Sequence, residues 1–357
     1  MVDVSIKEVS MKYEKKYILD GLNLNIHNGE LLVILGESGC GKSTLLKIIA
    51  GIIEPETGHI YFNKEEITNL PPQKRKIGYV PQAQVLFPHM TIEENIKFGL
   101  EARKLSKEQV KSKLEWIAKL TQIRELFSRY SREISGGQKQ RVALARAMAI
   151  EPEVLLLDEP LSSIDASGRE SLALSIRRIQ KQTQTTTIYV THSSDEARLI
   201  SDRVAVMYDG KIQQIGKLLE IDQKPLNYLV AKIMGIDNVW PVEFITNDKK
   251  GSILSVPIGK IQLDRKVQSK ISGIKINPSS FSIYSDKTKN KDDLIIFQGT
   301  VKSVVELDNE TFRLIVDIKD TLSEYIKVDC LRDQINKELN VDTSITLAIT
   351  PKDVVLI

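Results

Sequence analysis

Apolar and polar residues alternate through the first 28 positions, as at Val2, Val4 and Ile6, and this pattern predicts half-buried β-strands. An unbroken apolar run follows at Leu31–Leu35 and predicts a short buried strand. Between the two patterns lies the dipeptide Asn28-Gly29, which favours a tight hairpin turn. We therefore expect the strand at Leu31–Leu35 to pair antiparallel with the strand before it.

Helical spacing of apolar residues begins at Leu45, and Gly51 is placed to end that helix. A longer helical pattern runs through residues 91–134. Within it, Ser106 and Gln109 have the spacing of a capping box, in which each side chain bonds the backbone amide of the other residue. This region predicts a helical layer inserted between strands.

Two further apolar runs, Val154–Leu157 and Thr187–Val190, are typical of strands in a buried parallel sheet. The segment 203–215 predicts a β-hairpin that turns at Asp209-Gly210. The first part of the chain therefore alternates strands with helices, which favours an α/β fold.

A last helix is predicted to open at Pro225 and to close at Gly235. Beyond Gly235 the helical signals fade and short β-patterned runs recur, which predicts a small β-barrel. We accordingly predict two domains, 1–235 and 236–357. The second contains no recognisable catalytic constellation.

The composition excludes several functional classes. The chain has 357 residues, of which 50 are basic and 47 acidic, which gives a net charge of only +3. Because the charges nearly cancel, no polyanion such as nucleic acid is expected as a partner. Its two cysteines, Cys40 and Cys330, are too few for a disulfide framework, and its four histidines are scattered, so no structural zinc is expected. Neither a bilayer-spanning apolar run nor a secretory signal is evident, and we expect the chain in the cytosol.

The stretch after Leu35 has the composition of a phosphate-binding loop between a strand and a helix. Its glycines allow a tight turn that aims backbone N–H groups inward, and the start of the next helix attracts an anion. Lys42 would reach the β- and γ-phosphates, and Ser43 would bind Mg²⁺. The alternative is a Gly/Ser-rich turn that binds nothing. The candidate nucleotide-binding residues are Gly36, Glu37, Ser38, Gly39, Cys40, Gly41, Lys42, Ser43 and Thr44.

Two carboxylates, Asp158 and Glu159, come directly after the buried run Val154–Leu157. Ligands of parallel sheets bind at the carboxyl ends of the strands, so both acids are expected near the nucleotide. We assign Asp158 to Mg²⁺, and Glu159 to the attacking water as base or orienting group.

Other polar residues at strand or helix ends are weaker candidates. Gln82 could reach Mg²⁺ or water, and His192 could donate to the γ-phosphate, although a loop glutamine and a structural histidine are the alternatives. Tyr13 could stack on adenine or be an ordinary surface tyrosine. A second anion site or a plain helix start is predicted at Ser135, Gly136, Gly137 and Gln138.

Taken in this order and spacing, these motifs resemble the ATPases of ABC transporters over about the first 235 residues. The resemblance implies an α/β P-loop NTPase with a RecA-like core, an antiparallel β subdomain and a helical subdomain at about 88–152, followed by an all-β OB-like barrel. It further implies an A-loop at Tyr13, a Q-loop at Gln82, a D-loop ending at Asp165 and a switch histidine at His192.

The C-terminal region and the Leu86–Met90 segment resemble importer ATPases that carry a C-terminal OB-like (TOBE) domain; the tail segments concerned are Ile276–Pro278 and Phe297–Val301. Such proteins energise uptake of sugars, ferric iron, sulfate, molybdate or tungstate, and polyamines. The segment Tyr79–Gln82 and the short tail are nearer to the oxyanion and metal group, so an inorganic oxyanion or ferric iron is expected rather than a sugar or polyamine.

The resemblance implies ATP and Mg²⁺ as cofactors and a head-to-tail homodimer whose two sites are each completed by the partner. Two transmembrane permease subunits would dock near Gln82 and Phe87–Met90, an extracytoplasmic binding protein would act indirectly, and the ATPase would lie peripherally on the cytoplasmic face of the membrane. The alternatives are an ABC ATPase of translation or repair, which usually has two cassettes or a long coiled coil, and a regulatory anion-binding module. A single phosphate loop and the combination of Lys42, Asp158, Glu159 and His192 favour the importer.

Overall fold

A computed structural model of the protein describes residues 2–357 except 84, 104, 249–250, 268–269, 285–293, 320, 322–324 and 333–339. The chain forms two compact units, one ending at Ile221 and the other running from Asp222 to Ile357. The domain boundary that the sequence predicts after Gly235 stays a prediction.

The first unit alternates strands and helices. Its strands are β1 (Val4–Tyr13), β2 (Lys16–Ile26), β3 (Leu31–Leu35), β4 (Thr57–Phe62), β5 (Glu65–Glu66), β6 (Ile77–Val80), β7 (Val154–Asp158), β8 (Thr186–Thr191), β9 (Arg203–Tyr208) and β10 (Lys211–Gly216). Its helices are α1 (Lys42–Ala50), α2 (Ile92–Glu101), α3 (Lys107–Thr121), α4 (Gly136–Ala149), α5 (Ala166–Thr183) and α6 (Ser194–Ile200), and α7 (Leu218–Gln223) crosses into the second unit.

A six-stranded sheet in the order β10-β9-β3-β8-β7-β6 forms the centre of this unit. Its strands are parallel except β10, which pairs antiparallel with β9. Every residue of β3, β7 and β8 is buried, as expected for strands covered on both faces. The predicted hairpin at Asp209-Gly210 is confirmed, and both of these residues have positive φ, which suits the turn.

The predicted antiparallel pairing of β3 with β2 is wrong. Strand β2 belongs to a separate antiparallel sheet, β2-β1-β4-β5, whereas β3 enters the parallel sheet between β8 and β9. The turn at Asn28-Gly29 is present, with a positive φ at Gly29, but it connects two sheets. The all-apolar composition of β3 requires neighbours on both sides and cover on both faces, and this requirement outweighs the local turn signal.

The helical layer consists of α2 and α3 packed on α4. Both inserted helices start at capping boxes, Thr91 with Glu94 for α2 and Ser106 with Gln109 for α3, so the box predicted at Ser106 is confirmed. Gly51 likewise ends α1 in the left-handed conformation, as predicted.

The second unit is rich in antiparallel strands. It contains the helix α8 (Tyr228–Ile233) and the strands β11 (Val239–Pro241), β12 (Phe244–Asn247), β13 (Ser252–Val256), β14 (Gly259–Leu263), β15 (Gly273–Ile276), β16 (Ser282–Ile283), β17 (Ile295–Glu306), β18 (Thr311–Ile318), β19 (Tyr325–Leu331), β20 (Ser344–Ile349) and β21 (Val354–Leu356). Its largest sheet has the order β16-β20-β17-β18-β19, with β11-β15-β21 and β12-β13-β14 as smaller sheets around one hydrophobic core. The all-β class predicted for this region is confirmed.

The helix predicted to open at Pro225 begins later. Asn227 is its N-cap, and the Asn227 side chain accepts a 2.9 Å hydrogen bond from the Val230 amide. A side-chain oxygen that satisfies a free helix amide fixes the start of the helix more strongly than a proline two residues earlier.

Candidate active site

The phosphate-binding loop joins β3 to α1, as the sequence predicts. Gly41 is the N-cap of α1 with φ +106°, a conformation that favours glycine, and a Cβ there would lie 2.6 Å from the Ile18 carbonyl oxygen. A Cβ at Gly36 would lie 2.3 Å from the carbonyl oxygen of Met207. These glycines therefore let the loop pass close to β2 and β9 without a side chain in the way.

Lys42 is buried within this loop. Its Nζ donates two 2.9 Å hydrogen bonds, to the carbonyl oxygens of Gly36 and Glu37. The ammonium group is thus held on the inner side of the loop, where it can interact with a phosphate. The thiol of Cys40 is also buried, and burial raises its pKa. The neutral thiol therefore supports the loop by packing.

Ser43 and Asp158 meet at the carboxyl end of the parallel sheet. The Ser43 hydroxyl donates a 2.8 Å hydrogen bond to Oδ1 of Asp158. The phenol of Tyr79, on β6, donates to Oδ2 of the same carboxylate over 3.2 Å. Burial raises the pKa of Tyr79, and the charge and hydrogen bond of Asp158 raise it further, so the phenol stays protonated and remains a donor.

Two of the predicted side chains, Gln82 and His192, converge on a third, Glu159. Oε2 of Glu159 accepts a hydrogen bond from Nε2 of Gln82 at 3.3 Å, and it lies 3.3 Å from Nδ1 of His192. The three residues come from the ends of different strands, β6, β7 and β8. The parallel sheet therefore assembles a carboxylate, an amide and an imidazole at one point beside the phosphate loop.

The backbone at Glu159 is unusual, because its φ is +43° in a residue other than glycine. The surrounding structure holds this conformation: the Glu159 amide donates to the Val190 carbonyl at 3.0 Å, and its own carbonyl accepts from the Ser162 hydroxyl at 2.9 Å. Strained backbone of this kind is common where a functional side chain must be aimed.

The remaining predicted residues lie at element ends. Tyr13 ends β1 at the tip of the β1–β2 hairpin, and its side chain is half exposed. Ser135 is the N-cap of α4 and forms a capping box with Gln138. Asp165 is the N-cap of α5 and accepts from the Gly168 amide at 2.8 Å. A Cβ at Gly136 would lie 3.5 Å from the Ser163 carbonyl, so the start of α4 borders the segment before Asp165.

The family model described as ABC transporter matches residues 19–162. The chain is 43% identical over 295 residues to the Fe(3+) ions import ATP-binding protein of Fusobacterium nucleatum, covering 81% of this chain and 78% of that protein. The chain belongs to the ABC transporter ATP-binding family. This ABC ATPase is also 38% identical to the molybdate/tungstate import ATP-binding protein of Pyrococcus horikoshii, over 85% of this chain and 86% of that one.

A third relative of this ABC ATPase is the spermidine/putrescine import ATP-binding protein of Thermotoga maritima, with 37% identity over 87% of this chain and 85% of that protein. Among solved structures, a dimeric bacterial ABC transporter cassette aligns with a TM-score of 0.55 and 30% identity, over 60% of this chain and 98% of that chain. A dimeric post-hydrolysis cassette bound to ADP and Pi aligns similarly, with a TM-score of 0.54 and 30% identity over the same shares.

These relatives confirm the prediction of an ATP-binding, importer-type ABC ATPase and disfavour the translation, repair and regulatory-module alternatives. Within the described residues, no helix is both long enough and apolar enough to cross a membrane. The sequence did not predict two side chains near the site: Tyr79, which bonds Asp158, and Glu196, which bonds Thr191 next to His192. Their only local signals are their positions, on the strand before Gln82 and in the first turn of the helix after His192.

Proposed function

We propose that this ABC importer ATPase hydrolyses ATP with Glu159 as the base that polarises the attacking water. The observation that carries the proposal is the convergence of Gln82 and His192 on Oε2 of Glu159. His192 would donate to a γ-phosphate oxygen, and Gln82 would orient the water or reach Mg²⁺. A carboxylate that accepts from an amide and lies beside an imidazole and a phosphate loop is suited to accept a proton from water.

The donor set at Ser43 and Asp158 fits Mg²⁺. A hydroxyl and a carboxylate 2.8 Å apart offer the hard oxygen ligands that Mg²⁺ takes together with substrate phosphates and water. Gln82 could supply a further amide oxygen. The ion would neutralise charge that develops on the phosphates, while Lys42 and the loop amides hold the nucleotide in line.

The rest of the nucleotide would be bound by two copies of the chain. Tyr13 would stack on adenine from the hairpin whose strand β2 lies against the phosphate loop. The start of α4 would bind the γ-phosphate of the partner's nucleotide, with Asp165 next to it. The dimeric cassettes at 30% identity support this head-to-tail homodimer. The residues acting on the partner's nucleotide would be Ser135, Gly136, Gly137, Gln138 and Asp165.

A groove between β6, α2 and α4 is the proposed docking site for each membrane permease subunit. It has a volume of about 400 Å³ and is lined by Phe87 and Phe98, whose ring centroids are 4.9 Å apart. The buried Asn95 side chain accepts a hydrogen bond from the Phe87 amide and donates to the carbonyls of Phe87 and Met90. These hydrogen bonds fix the conformation of the segment 87–90. The guanidinium of Arg146 lies over the Phe87 ring at 4.6 Å. An apolar permease helix carrying a carboxylate would fit this surface.

The proposed transported substrate is an inorganic oxyanion or ferric iron. The Fe(3+) and molybdate/tungstate relatives support this assignment, while two polyamine relatives, at 43% and 37% identity, keep polyamines as the alternative. Residues 1–235 would form the catalytic domain, with its helical subdomain at about 88–152, and residues 236–357 a TOBE-type regulatory domain. The complex would lie on the cytoplasmic face of the membrane and receive substrate from an extracytoplasmic binding protein.

The variant Glu159→Gln tests the catalytic proposal. Glutamine keeps the size of the side chain but cannot accept a proton at neutral pH, so kcat should fall by about 10²- to 10⁴-fold while ATP binding survives. Unhydrolysed ATP should then hold two copies together, and size-exclusion chromatography with ATP should show a dimer. Glu125→Gln, at an exposed glutamate of the helical layer, is the control and should behave as wild type. A variant that binds ATP but elutes as a monomer would contradict the proposal.

Uptake measurements test the substrate. A cell lacking this gene should lose accumulation of labelled ferric iron, molybdate or sulfate and regain it on complementation with the wild-type gene but not with Lys42→Ala. Loss of spermidine uptake alone would overturn the oxyanion or iron assignment and leave the ATPase proposal standing.

A further inference from the structure

Glu196 is a buried carboxylate that the proposed hydrolysis does not use. The residue is only 9% exposed and lies in the first turn of α6, four residues after His192. Its Oε2 accepts a 2.8 Å hydrogen bond from the Tyr189 phenol and a 2.7 Å hydrogen bond from the Thr191 hydroxyl. Both donors lie on β8, so Glu196 ties the helix after His192 to the strand before it.

The hydrogen bonds continue on both sides of His192. The Ser193 amide donates to Oγ1 of Thr191 at 3.0 Å, and the Glu196 amide donates to Oγ of Ser193 at 3.3 Å. The residues flanking His192 are therefore both held in a network that ends on one carboxylate. The His192 side chain itself is 56% exposed, so little packing fixes it. Apart from the Glu159 carboxylate 3.3 Å from its Nδ1, the direction of the ring depends on the backbone on either side.

Thr191 also contacts the phosphate loop, because the Gly36 amide donates to the Thr191 carbonyl at 3.4 Å. The same residue thus fixes the histidine turn relative to the loop. Burial raises the pKa of Tyr189, and the carboxylates of Glu196 and Glu159 raise it further. The phenol therefore stays protonated and donates to Glu196 at any pH at which the enzyme works.

Comparison with the other helices separates this arrangement from ordinary helix capping. Glu94, Gln109 and Gln138 each occupy the third position of a helix and bond back to the amide of their own N-cap residue. Glu196 occupies the same position after the N-cap Ser193, yet its carboxylate bonds β8 instead. Its contacts serve the connection between strand and helix, and His192 lies in that connection.

We propose that Glu196, acting through Tyr189 and Thr191, is a positioning residue that holds His192 in its productive orientation. This inference rests on the proposed role of His192 at the γ-phosphate. A misplaced donor weakens the transition state more than ground-state binding, so loss of the network should lower kcat and leave KM for ATP nearly unchanged.

The test is a double-mutant comparison in the full-length protein. Glu196→Ala, Tyr189→Phe and Thr191→Val each remove part of the network, and each is made in the wild-type and in the His192→Ala background. In the wild-type background we expect kcat to fall by about 10-fold or more for Glu196→Ala, with KM within about twofold. In the His192→Ala background the same changes should alter kcat by less than about twofold, because the group that they position is already absent.

Two further variants separate hydrogen bonding from charge and from helix stability. Glutamine offers an oxygen that can accept both hydroxyl donors, so Glu196→Gln should retain kcat within about threefold of wild type. Asp195→Asn removes the neighbouring charge from the same first turn, where the side chain is exposed, and should leave kcat unchanged. If Glu196→Ala does not fold, Tyr189→Phe and Thr191→Val carry the test, since both keep the size of the side chain.

Equal losses of kcat in both backgrounds, or a loss expressed in KM, would overturn the inference. If His192→Ala lowers kcat but the network variants do not, the inference alone fails. If His192→Ala leaves kcat unchanged, the proposed role of His192 fails, and the inference fails with it.

Discussion

Tyr79 donates a hydrogen bond of 3.2 Å to Asp158, the carboxylate that also accepts from the Ser43 hydroxyl. One oxygen of Asp158 thus binds the phenol and the other faces the phosphate loop. Because the second partner of a ligating carboxylate fixes its orientation, Tyr79 is expected to influence how Asp158 binds Mg²⁺.

We expect Tyr79→Phe to raise the free Mg²⁺ concentration needed for half-maximal ATP hydrolysis by about fivefold, the equivalent of one hydrogen bond of about 1 kcal/mol. The ring remains and can keep its packing against the core, so the unfolding transition should change little. The measurement is the ATPase rate as a function of free Mg²⁺ at saturating ATP. Tyr61→Phe, on β4 of the antiparallel sheet, is the matched control. An unchanged Mg²⁺ dependence would show that the hydrogen bond from Tyr79 does not affect how Asp158 binds Mg²⁺.

The sequence predicts those parts of the site that depend on local rules. The phosphate loop, the capping box at Ser106 and the left-handed end of α1 at Gly51 each follow from a few adjacent residues. The prediction that β3 pairs with β2 was wrong because the choice of strand partner depends on residues more than 150 positions away, in β8 and β9. The hydrogen bond from Tyr79 to Asp158 joins residues on two strands 79 positions apart, and no local pattern encodes it.

Arg75 should be essential for the stability of the first unit. The residue is 3% exposed, and its guanidinium donates to the carbonyls of Ile48 and Ile49 at the end of α1 and to those of Thr68 and Leu70. Arg75→Met would leave these carbonyls without their donor in a dry interior, at a cost of about 3–5 kcal/mol.

Denaturant unfolding can assign this loss to one unit, because the only two tryptophans, Trp116 and Trp240, lie one in each. Fluorescence of single-tryptophan variants should show an earlier transition for Trp116 and a smaller change for Trp240. Arg129→Met, at an exposed arginine, is the control. If Arg75→Met leaves the denaturant midpoint reported by Trp116 unchanged, the hydrogen bonds of the guanidinium do not stabilise the first unit more than hydrogen bonds from water would.

Asp202 should make the first unit sensitive to acid. Burial alone would raise the pKa of Asp202, but hydrogen bonds from Arg177 and the Leu31 amide, with the charges of Arg177 and Lys181, lower it to about 2. The pKa of an unfolded aspartate is about 3.9, so the folded state is stabilised at pH values above about 4, and the contribution is lost as the pH falls towards 2.

After allowance for partial exposure, the contribution of Asp202 is about 1–2 kcal/mol. Asp202→Asn should therefore lower the free energy of unfolding at pH 7. It should also make the free energies of unfolding at pH 7 and pH 2.5 more similar than they are in the wild type. Asp195→Asn, on the exposed side of α6, should leave that difference as it is in the wild type. An Asp202→Asn protein with the full wild-type acid dependence would refute the assignment.

The start of α4 offers the sharpest test of the head-to-tail dimer, because the chain contains a matched control for it. Ser135 and Gln138 form a capping box at α4, and Ser106 and Gln109 form the same box at α3. Aspartate is as good an N-cap as serine, so Ser135→Asp and Ser106→Asp should both keep their helices. Only Ser135, however, is proposed to face the γ-phosphate of the partner's nucleotide, where an added negative charge is repelled.

We expect Ser135→Asp to lower kcat by about 100-fold, an amount typical of losing one preorganised donor, while monomer affinity for ATP stays within about twofold. Ser106→Asp should match the wild type in both respects. Fluorescent-nucleotide binding and ATPase assays on the two variants decide the matter: equal loss of binding and hydrolysis in Ser135→Asp would place this residue in the site of its own chain and would contradict a site completed by the partner.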